Sequence, residues 1–438
     1  MSTVVPSYLG TNKEQITIVH PDDPFNMESF VKPAALKNPL QPQIEDFMKN
    51  WSVTRIVENY ARLHPLVNRQ VLLELMTAKP TFILYSGVDL IYSKDLSGHC
   101  EFLMIESNVY PGGQDAMPPS VGSYESHLSC ILNDDWKGKP IETGGLAYIY
   151  GMNTRRARAI PHFMAKISKE PIHVVPLFNK RADEKIERMV RCVDGTMQVK
   201  SQDDWLNMRA CFSSVSYRPW TYIPVTNNLK TYMNPHPIAA LVGKSKILSE
   251  YALRDFNQTY SKHGIQIRGP RTMVGITKED VGEIVEQNFQ GRAVVKTPYD
   301  SQGRGIYVIR SKEDFDNFYT TDQSDYSLWV VQELIEIGEC QNSRYQQVGY
   351  NLDNHLYACT VRIIASSGPC GFKMTAIRGA RAPEPFAFVG SDNARDPNSL
   401  SSIETINEDA YITNIGTNSD SDSRAVTIDD AAIKGLAN

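Results

Sequence analysis

The alternation of apolar and polar positions predicts helices and strands in turn along the first half of the chain. Apolar side chains recur at helical spacing over 43–63, which predicts a helix. Two strand-like runs follow at 82–92 and 100–108, separated by turn-forming residues. Further on, the pattern predicts a helix-rich stretch over 119–170, a buried strand at 173–178, and a strand, a helix and a second strand over 196–220.

The second half begins near the prolines at 235 and 237, which interrupt regular structure. Helical patterns occupy 244–262 and 276–288, and Thr277 is a suitable N-cap for the second of these helices. Beyond them the pattern predicts strands at 292–296, 305–310 and 328–336 and a helix at 311–319. This alternation indicates an α/β (α+β) core, followed from about 384 by a Ser-, Asn- and Asp-rich tail that is partly loop.

Composition and charge exclude several classes of protein. The chain has 438 residues, 41% of them hydrophobic, which is enough for two or three structural units. The net charge of −5 and pI near 6.0 argue against broad binding to nucleic acid or a membrane surface. No stretch approaches the roughly 18 apolar residues of a membrane span, and the first residues lack the pattern of a signal peptide. Seven cysteines at scattered spacings indicate neither a disulfide framework nor a zinc site, so we expect a cytoplasmic location.

The stretch 292–310 carries the clearest chemical signal. A hydrophobic strand ends in Lys296, a loop with glycines at 303 and 305 follows, and a second strand returns. Glycines let backbone N–H groups approach an anion closely, and Lys296 places a cation at the end of the strand. Taken by itself, the pattern also fits a solvated hairpin turn.

Two other nucleotide-binding signatures fail. Gly243, Lys244 and Ser245 have the order that ends a P-loop, but Ile238 occupies the position at which the earlier glycine is required. The glycines at 303 and 305 do not extend to a dinucleotide-binding fingerprint, because position 308 is a valine.

Three features around the glycine loop together resemble the ATP-grasp superfamily. A lysine precedes the helix near 246, a second lysine ends the strand before the loop, and the strand 328–336 contains V-Q-E-L-I. The resemblance implies that Lys246 (or Lys244) and Lys296 contact the phosphates of ATP. It also implies a phosphate-binding role for Ser301, Gln302, Gly303 and Gly305, and an adenine pocket lined by Gln332, Glu333 and Ile335, partly through their backbone groups.

A metal ion is expected as well, because Mg²⁺ offsets the charge that develops in phosphoryl transfer. Glu106 and Asn108 stand two apart on a predicted strand, so their side chains share one face; they fit one ion or, equally, a solvent-facing polar pair. An E-x-N pair ahead of the ATP-binding segment resembles eukaryotic glutathione synthetase, a circularly permuted ATP-grasp enzyme. That resemblance implies Asp300 as a third ligand and pairs Arg218 with an arginine that holds a substrate carboxylate.

Arginines after the V-Q-E-L-I strand are candidates for the substrate side. The segment 106–119 resembles peptide ligases of natural-product pathways, which form an acyl phosphate that cations stabilise. Arg362, inside the apolar run 360–364, resembles the strand arginine of other ATP-grasp enzymes, although threonine or valine replaces the aspartate that accompanies it there. Arg378 is a second candidate. For both residues a surface ion pair is an equally good interpretation.

The resemblance implies a division of the chain and an activity. We expect a pre-ATP-grasp domain with the E-x-N pair over 1–235, a first ATP-grasp subdomain over 236–300 and a second over 301–438. The expected activity is an ADP-forming ligation of a small-molecule carboxylate to an amine or peptide, with ATP and Mg²⁺ as cofactors and neither nucleic acid nor membrane as partner. A non-catalytic ATP-binding protein of this fold and a small-molecule phosphotransferase remain open, as does the oligomeric state, a homodimer included.

Overall fold

A computed structural model describes residues 16–26, 30, 42–78, 85–109, 111, 128, 143–151, 154–176, 189–201, 203–214, 229–300, 305–321, 326–337, 343–352, 355–368, 371–382, 387–388 and 425–426. Up to residue 234 the elements are β1 (Thr17–Val19), α1 (Pro42–Asn50), α2 (Val53–Leu63), α3 (Arg69–Thr77), β2 (Tyr85–Asp95), β3 (Cys100–Val109), β4 (Gly145–Tyr150), α4 (Thr154–Ser168), β5 (Ile172–Pro176), β6 (Val190–Val193), β7 (Thr196–Ser201), β8 (Asp204–Ser214) and β9 (Tyr232–Asn234).

The remaining elements follow the two prolines. They are α5 (Pro237–Lys244), α6 (Lys246–Tyr260), β10 (Thr272–Ile276), α7 (Val281–Phe289), β11 (Ala293–Lys296), β12 (Ile306–Ile309), α8 (Lys312–Thr321), β13 (Trp329–Glu333), β14 (Tyr345–Gln347), β15 (Tyr350–Leu352), β16 (His355–Tyr357), β17 (Cys359–Gly368), β18 (Gly371–Arg381), β19 (Ala387–Phe388) and β20 (Ala425–Val426).

A seven-stranded sheet in the order β1-β5-β4-β8-β7-β6, with β9 beside β8, forms the first structural layer. Its central neighbours β5, β4, β8 and β9 run parallel to one another. Strand β5 is buried at every position and β4 at all but its first, which is typical of parallel strands covered on both faces. Ile160 and Met164 of α4 pack on one face of this sheet, beside Tyr148 and Phe212.

A four-stranded antiparallel sheet in the order β10-β13-β11-β12 carries the glycine-loop lysine. Ala293 and Val295 of β11 pack with α7 and α8 in a core around Trp329 and Phe318. Because side chains alternate along a strand, Val294 and Lys296 point to the opposite face. The apolar pattern of β11 thus determines the direction in which Lys296 projects.

A six-stranded sheet joins the two ends of the chain. Its order is β14-β2-β17-β18-β20, with β3 also paired to β2. One face packs against α1 through Ile44, Met48, Val361 and Ile377. The other face carries a row of charged residues that reaches the cleft described below. The three-stranded sheet β15-β16-β19 completes the described strands.

The predicted α/β fold class is confirmed, and three local predictions are wrong. The helix expected over 43–63 is two helices, because the side chain of Ser52 accepts from Arg55 N and starts α2 afresh. The helix expected within 196–220 is absent from the described residues there, which form the antiparallel pair β7–β8. Thr277 does not cap α7; its hydroxyl donates to Asp280, which occupies the N-cap position.

The sheets pair strands across both boundaries of the expected domains. Strand β2 pairs with β17 although they belong to the predicted first and third units, and β11 pairs with β12 across position 300. The division at 235 and 300 therefore does not coincide with separate sheets, and it stays a prediction. Among the described residues, no helix has the length and apolarity required to cross a membrane.

Candidate active site

An open cleft lies between the four-stranded sheet, helix α6 and strand β3. Its lining includes the apolar residues Met104, Leu253, Pro270 and Val330. It also includes the charged residues Lys246, Lys296 and Glu106, together with Lys244 and Glu250. Three segments that are far apart in the sequence, 104–107, 244–272 and 296–332, therefore line one space.

Lys296 is buried in this cleft, with 9% of its surface exposed. Its ammonium donates to Gln332 Oε1 at 2.6 Å, and Gln332 Nε2 in turn donates to Thr272 Oγ1 at 2.9 Å. The pKa of Lys296 is lowered to about 8, chiefly by burial; Glu106 and Asp89 oppose the shift, and the charge of Lys246 adds to it. The hydrogen-bond partner is a neutral amide, so a bound anion would be the natural counter-ion of Lys296.

Lys246 stands at the N-terminus of α6, where its backbone N–H donates to Pro298 O at 2.9 Å. Its ammonium donates to the backbone carbonyl of Asp300 at 2.6 Å and lies 3.6 Å from Glu106 Oε1. One cation therefore joins the start of the glycine loop to the E-x-N strand. Lys244, the alternative in the sequence, ends α5 and also lines the cleft.

The loop after Lys296 ends at Gly305. The carbonyl of Gly305 accepts a hydrogen bond from Thr297 N at 2.8 Å, and Gly305 adopts φ +65°. A Cβ added at Gly305 would lie 2.3 Å from Thr297 Oγ1, the atom that donates to Asp300 Oδ2 at 3.1 Å. Glycine is thus required here by both backbone conformation and space. Ser301, Gln302 and Gly303 lie outside the described residues, so their predicted contact with phosphate stays a prediction.

Residues Glu106 and Asn108 belong to a row of charged and polar groups on one face of the six-stranded sheet. Glu106 pairs in register with Asp89, Asp89 with Arg362, and Arg362 with Arg378. Arg362 donates to both carboxylate oxygens of Asp89 at 2.5 Å, and Asn108 Nδ2 donates to Asp89 Oδ2 at 3.1 Å. Burial alone would lower the pKa of Arg362, but Asp89 outweighs burial and keeps it above its usual value.

The three residues predicted to line the adenine pocket lie in different environments. Gln332 lines the cleft. Glu333 points elsewhere, because its carboxylate accepts from the backbone N–H of Arg271 at 3.0 Å and from the backbone N–H and side chain of Arg344 at 3.1 and 2.9 Å. Ile335 is buried in a small apolar cluster with Ile91 and Leu103. The side chains of Glu333 and Ile335 therefore have structural contacts, and any role at a base would use their backbone groups.

The predicted arginines occupy different environments. Arg362 is mostly buried in its ion pair with Asp89, and Arg378 is buried on the neighbouring strand. Neither is among the residues that line the described cleft. Arg218 lies outside the described residues. The role of all three toward a substrate carboxylate stays a prediction.

The residues present fit a nucleotide polyphosphate and a divalent cation bound to it. Two lysines supply charge for phosphates, and the apolar residues of the lining suit a base. Among the described residues, no group of three or more His, Cys, Asp or Glu side chains is arranged to hold a metal. Mg²⁺ is usually held by one or two protein groups together with phosphate oxygens, and the assignment of Glu106 and Asn108 as those groups stays a prediction.

Asp89 is the residue that sequence reasoning missed. It is the one charged side chain within the predicted strand 82–92, and a carboxylate inside an apolar run is a signal that it has a buried partner. Its partner could not be identified from the sequence, because Arg362 is 273 residues away.

No protein-family model matches the sequence, and no curated protein matches it. Solved structures similar to this chain include a glutathione synthetase-like effector from Globodera pallida, with 12% identity over 84% of this chain and 87% of that chain and a TM-score of 0.39. A RimK domain ATP-grasp protein from Sphaerobacter thermophilus has 11% identity, covering 53% and 90%, with a TM-score of 0.30. D-alanine–D-alanine ligase from Bacillus anthracis has 13% identity, covering 56% and 73%, with a TM-score of 0.30.

Proposed function

We propose that this chain is an ATP-dependent, ADP-forming ligase that joins a small-molecule carboxylate to an amine, such as an amino acid or a peptide. The observation that carries the proposal is the convergence of Lys246, Lys296 and Glu106 on one cleft. Two ammonium groups beside a carboxylate and an amide complement a polyphosphate and its divalent cation. The proposal includes the division into 1–235, 236–300 and 301–438 and a cytoplasmic location.

In this reaction a carboxylate oxygen of the first substrate attacks the γ-phosphorus of ATP. The bond from this phosphorus to the bridging oxygen breaks, and ADP leaves. The amine of the second substrate then attacks the carbonyl carbon of the acyl phosphate, the bond to the phosphate oxygen breaks, and the surplus amine proton passes to phosphate or solvent. Mg²⁺, when bound, offsets the negative charge of the phosphates.

The protein would contribute position and charge to both steps. Lys246 and Lys296 hold phosphate oxygens, and Gln332 fixes the direction of the Lys296 ammonium through their 2.6 Å hydrogen bond. Glu106 and Asn108 would hold the metal, with Asp300 as the third candidate ligand. Arg218, Arg362 and Arg378 are the candidates for binding the substrate carboxylate.

A phosphate-release screen over pairs of amino acids and dipeptides, with mass spectrometry of the products, tests the proposal. We expect ADP and phosphate only when both substrates are present, together with a product whose mass corresponds to an amide. Release of AMP would contradict the proposal. A phosphorylated product without an amide would instead identify a phosphotransferase, and nucleotide binding without turnover on any pair would favour a non-catalytic protein.

Site variants test the assignment of residues. Lys296→Ala, Glu106→Gln and Asn108→Ala should each lower the rate of amide formation on the order of a hundredfold or more. Lys312→Ala is the matched control for the lysine, because Lys312 is 85% exposed and forms a surface ion pair with Asp316. Full activity in any of the three site variants would contradict the role given to that residue.

A further inference from the structure

We propose that Asp89, clamped by Arg362, is a positioning residue that turns the carbonyl oxygen of Asn108 toward the metal site. The inference deepens the proposed function and rests on it, because it concerns the site at which Glu106 and Asn108 would hold the ion. It is carried by the contacts that Asp89 makes across three neighbouring strands.

The Asn108 amide has two ends, and only one of them can bond to Asp89. Asp89 Oδ2 lies 3.1 Å from the Asn108 amide, within hydrogen-bond distance. A carboxylate only accepts hydrogen bonds, whereas an amide has one donor end and one acceptor end. Only Nδ2 of Asn108 can therefore bond to Asp89, and the carbonyl oxygen must point the other way. This assignment follows from the chemistry of the pair.

The carboxylate group of Asp89 is held in one orientation by Arg362. Arg362 donates from Nε to one oxygen and from Nη2 to the other, both at 2.5 Å. This two-point contact fixes the plane of the carboxylate and offsets its charge. The side chain of Asp89 is only 11% exposed, so its direction is set by these partners rather than by solvent. An ion-paired Asp89 also competes weakly for the metal.

Asn108 reaches Asp89 diagonally across the strand pair. The residue opposite Asn108 in the register is Gly87, while Asp89 faces Glu106. Side chains in diagonal positions of a strand pair are within reach of each other, and Gly87 places no side chain between Asn108 and Asp89. The space beside Gly87 is filled by Pro111: a Cβ at Gly87 would lie 2.9 Å from Pro111 Cβ and 3.2 Å from Ile363 O, so a larger residue does not fit there without a shift.

The arrangement resembles the support that metal-binding side chains receive elsewhere: the ligand atom faces the ion, and its other end is held by a hydrogen bond. Glu106, the second expected ligand, faces Asp89 across the same pair of strands. Its carboxylate is balanced by Lys246 at 3.6 Å, and that of Asp89 is balanced by Arg362. The two carboxylates therefore have separate counter-ions, which leaves Asp89 available to hold Asn108.

The test measures Mn²⁺ binding in the presence of a non-hydrolysable ATP analogue, with free Mn²⁺ followed by electron paramagnetic resonance. Replacing Asp89 alone would leave the guanidinium buried without a partner, so the variant is the pair Asp89→Asn and Arg362→Met, which removes both charges. We expect the affinity for Mn²⁺ to fall about 10- to 100-fold. Nucleotide affinity measured without metal should stay within about threefold of the wild type, because the change acts on the metal ligand.

Two further variants separate orientation from general damage. Arg362→Lys keeps a cation beside Asp89 but loses the two-point contact, so its Mn²⁺ affinity should lie between those of the wild type and the double variant. Adding Asn108→Asp to the double variant should restore Mn²⁺ affinity, because either oxygen of a carboxylate can serve as ligand and no orientation is needed. In the wild-type background the same Asn108→Asp change places a second carboxylate against Asp89 and should not raise Mn²⁺ affinity. Comparing the effect of Asn108→Asp in the two backgrounds is a double-mutant cycle. If the double variant fails to fold, the single variant Asn108→Asp still tests the proposal.

Three outcomes would overturn the inference. The double variant could bind Mn²⁺ as the wild type does, Asn108→Asp could fail to restore binding in a folded double variant, or Asn108→Asp in the wild-type background could raise Mn²⁺ affinity. Absence of a nucleotide-dependent Mn²⁺ site in the wild type is a different result. That result would refute the metal site of the proposed function itself, so the two failures are distinguishable.

Discussion

We expect nucleotide affinity to depend on pH between 7 and 9, because Lys296 is buried and its hydrogen-bond partner, Gln332, is neutral. In the free protein its pKa is about 8, because burial disfavours the charged form. A bound phosphate favours the charged form. Affinity should therefore be full below pH 7 and decline as the pH rises through about 8, where Lys296 loses its proton.

The size of the effect follows from the pKa. About nine-tenths of the free protein carries the Lys296 charge at pH 7 and about one-tenth at pH 9. If only the charged form binds, the dissociation constant for ADP rises about tenfold over this interval, which corresponds to about 1.4 kcal/mol. At pH 8 binding should take up about half a proton.

Titration calorimetry with metal-free ADP, in two buffers of different ionisation enthalpy, measures both quantities. ADP itself contributes little, because its terminal phosphate titrates mostly below pH 7. The matched control is Gln332→Glu, which places a carboxylate where the amide oxygen now lies 2.6 Å from the ammonium. This carboxylate should raise the pKa of Lys296 and reduce the pH effect to less than about twofold. Equal affinity at pH 7 and 9 in the wild type, or the same pH dependence in the variant, would refute the reasoning.

Two further predictions concern residues expected to bind nucleotide. Glu333→Gln should lower the free energy of unfolding by about 1–3 kcal/mol, because it weakens the group that accepts hydrogen bonds from Arg271 and Arg344. The affinity for ADP should change less than about threefold. A large loss of ADP affinity in a stable variant would instead assign the Glu333 side chain to the adenine pocket. Gly305→Ala should weaken ADP binding and lower the thermal midpoint of unfolding. The new methyl group would meet Thr297 Oγ1, and the residue would have to keep φ +65°. Unchanged stability in thermal melts would contradict the need for glycine.

The parts of the site that lie close together in sequence could be predicted. Lys296 was identified from a strand followed by glycines, and the alternation of β11 is sufficient to place it on the face away from the α7 and α8 core. The same rule of alternation explains why the side chain of Gln332 lines the cleft while that of Glu333 points away from it. Gln332 and Glu333 are adjacent on β13, so only one of them can face the cleft.

The parts that depend on pairing between distant strands could not be predicted. The aspartate that Arg362 lacks in its own strand is supplied by Asp89, opposite it in the sheet. Nothing local to either residue specifies that register. The helix expected within 196–220 failed for a related reason: the alternating burial of Val199, Met208 and Ala210 is decided by the partner strand and by the core beneath it.

The pairing of β2 with β17 has a consequence for how the chain is made. The carboxylate of Asp89 and the guanidinium of Arg362 are 273 residues apart, and ribosomes add about 5–20 residues per second. The β2–β3 hairpin must therefore wait on the order of tens of seconds for its neighbour, with one edge open to other chains. We expect the nascent protein to depend on chaperones during this interval. Chains that end before residue 359 should aggregate, since they contain the hairpin without the strand that covers it.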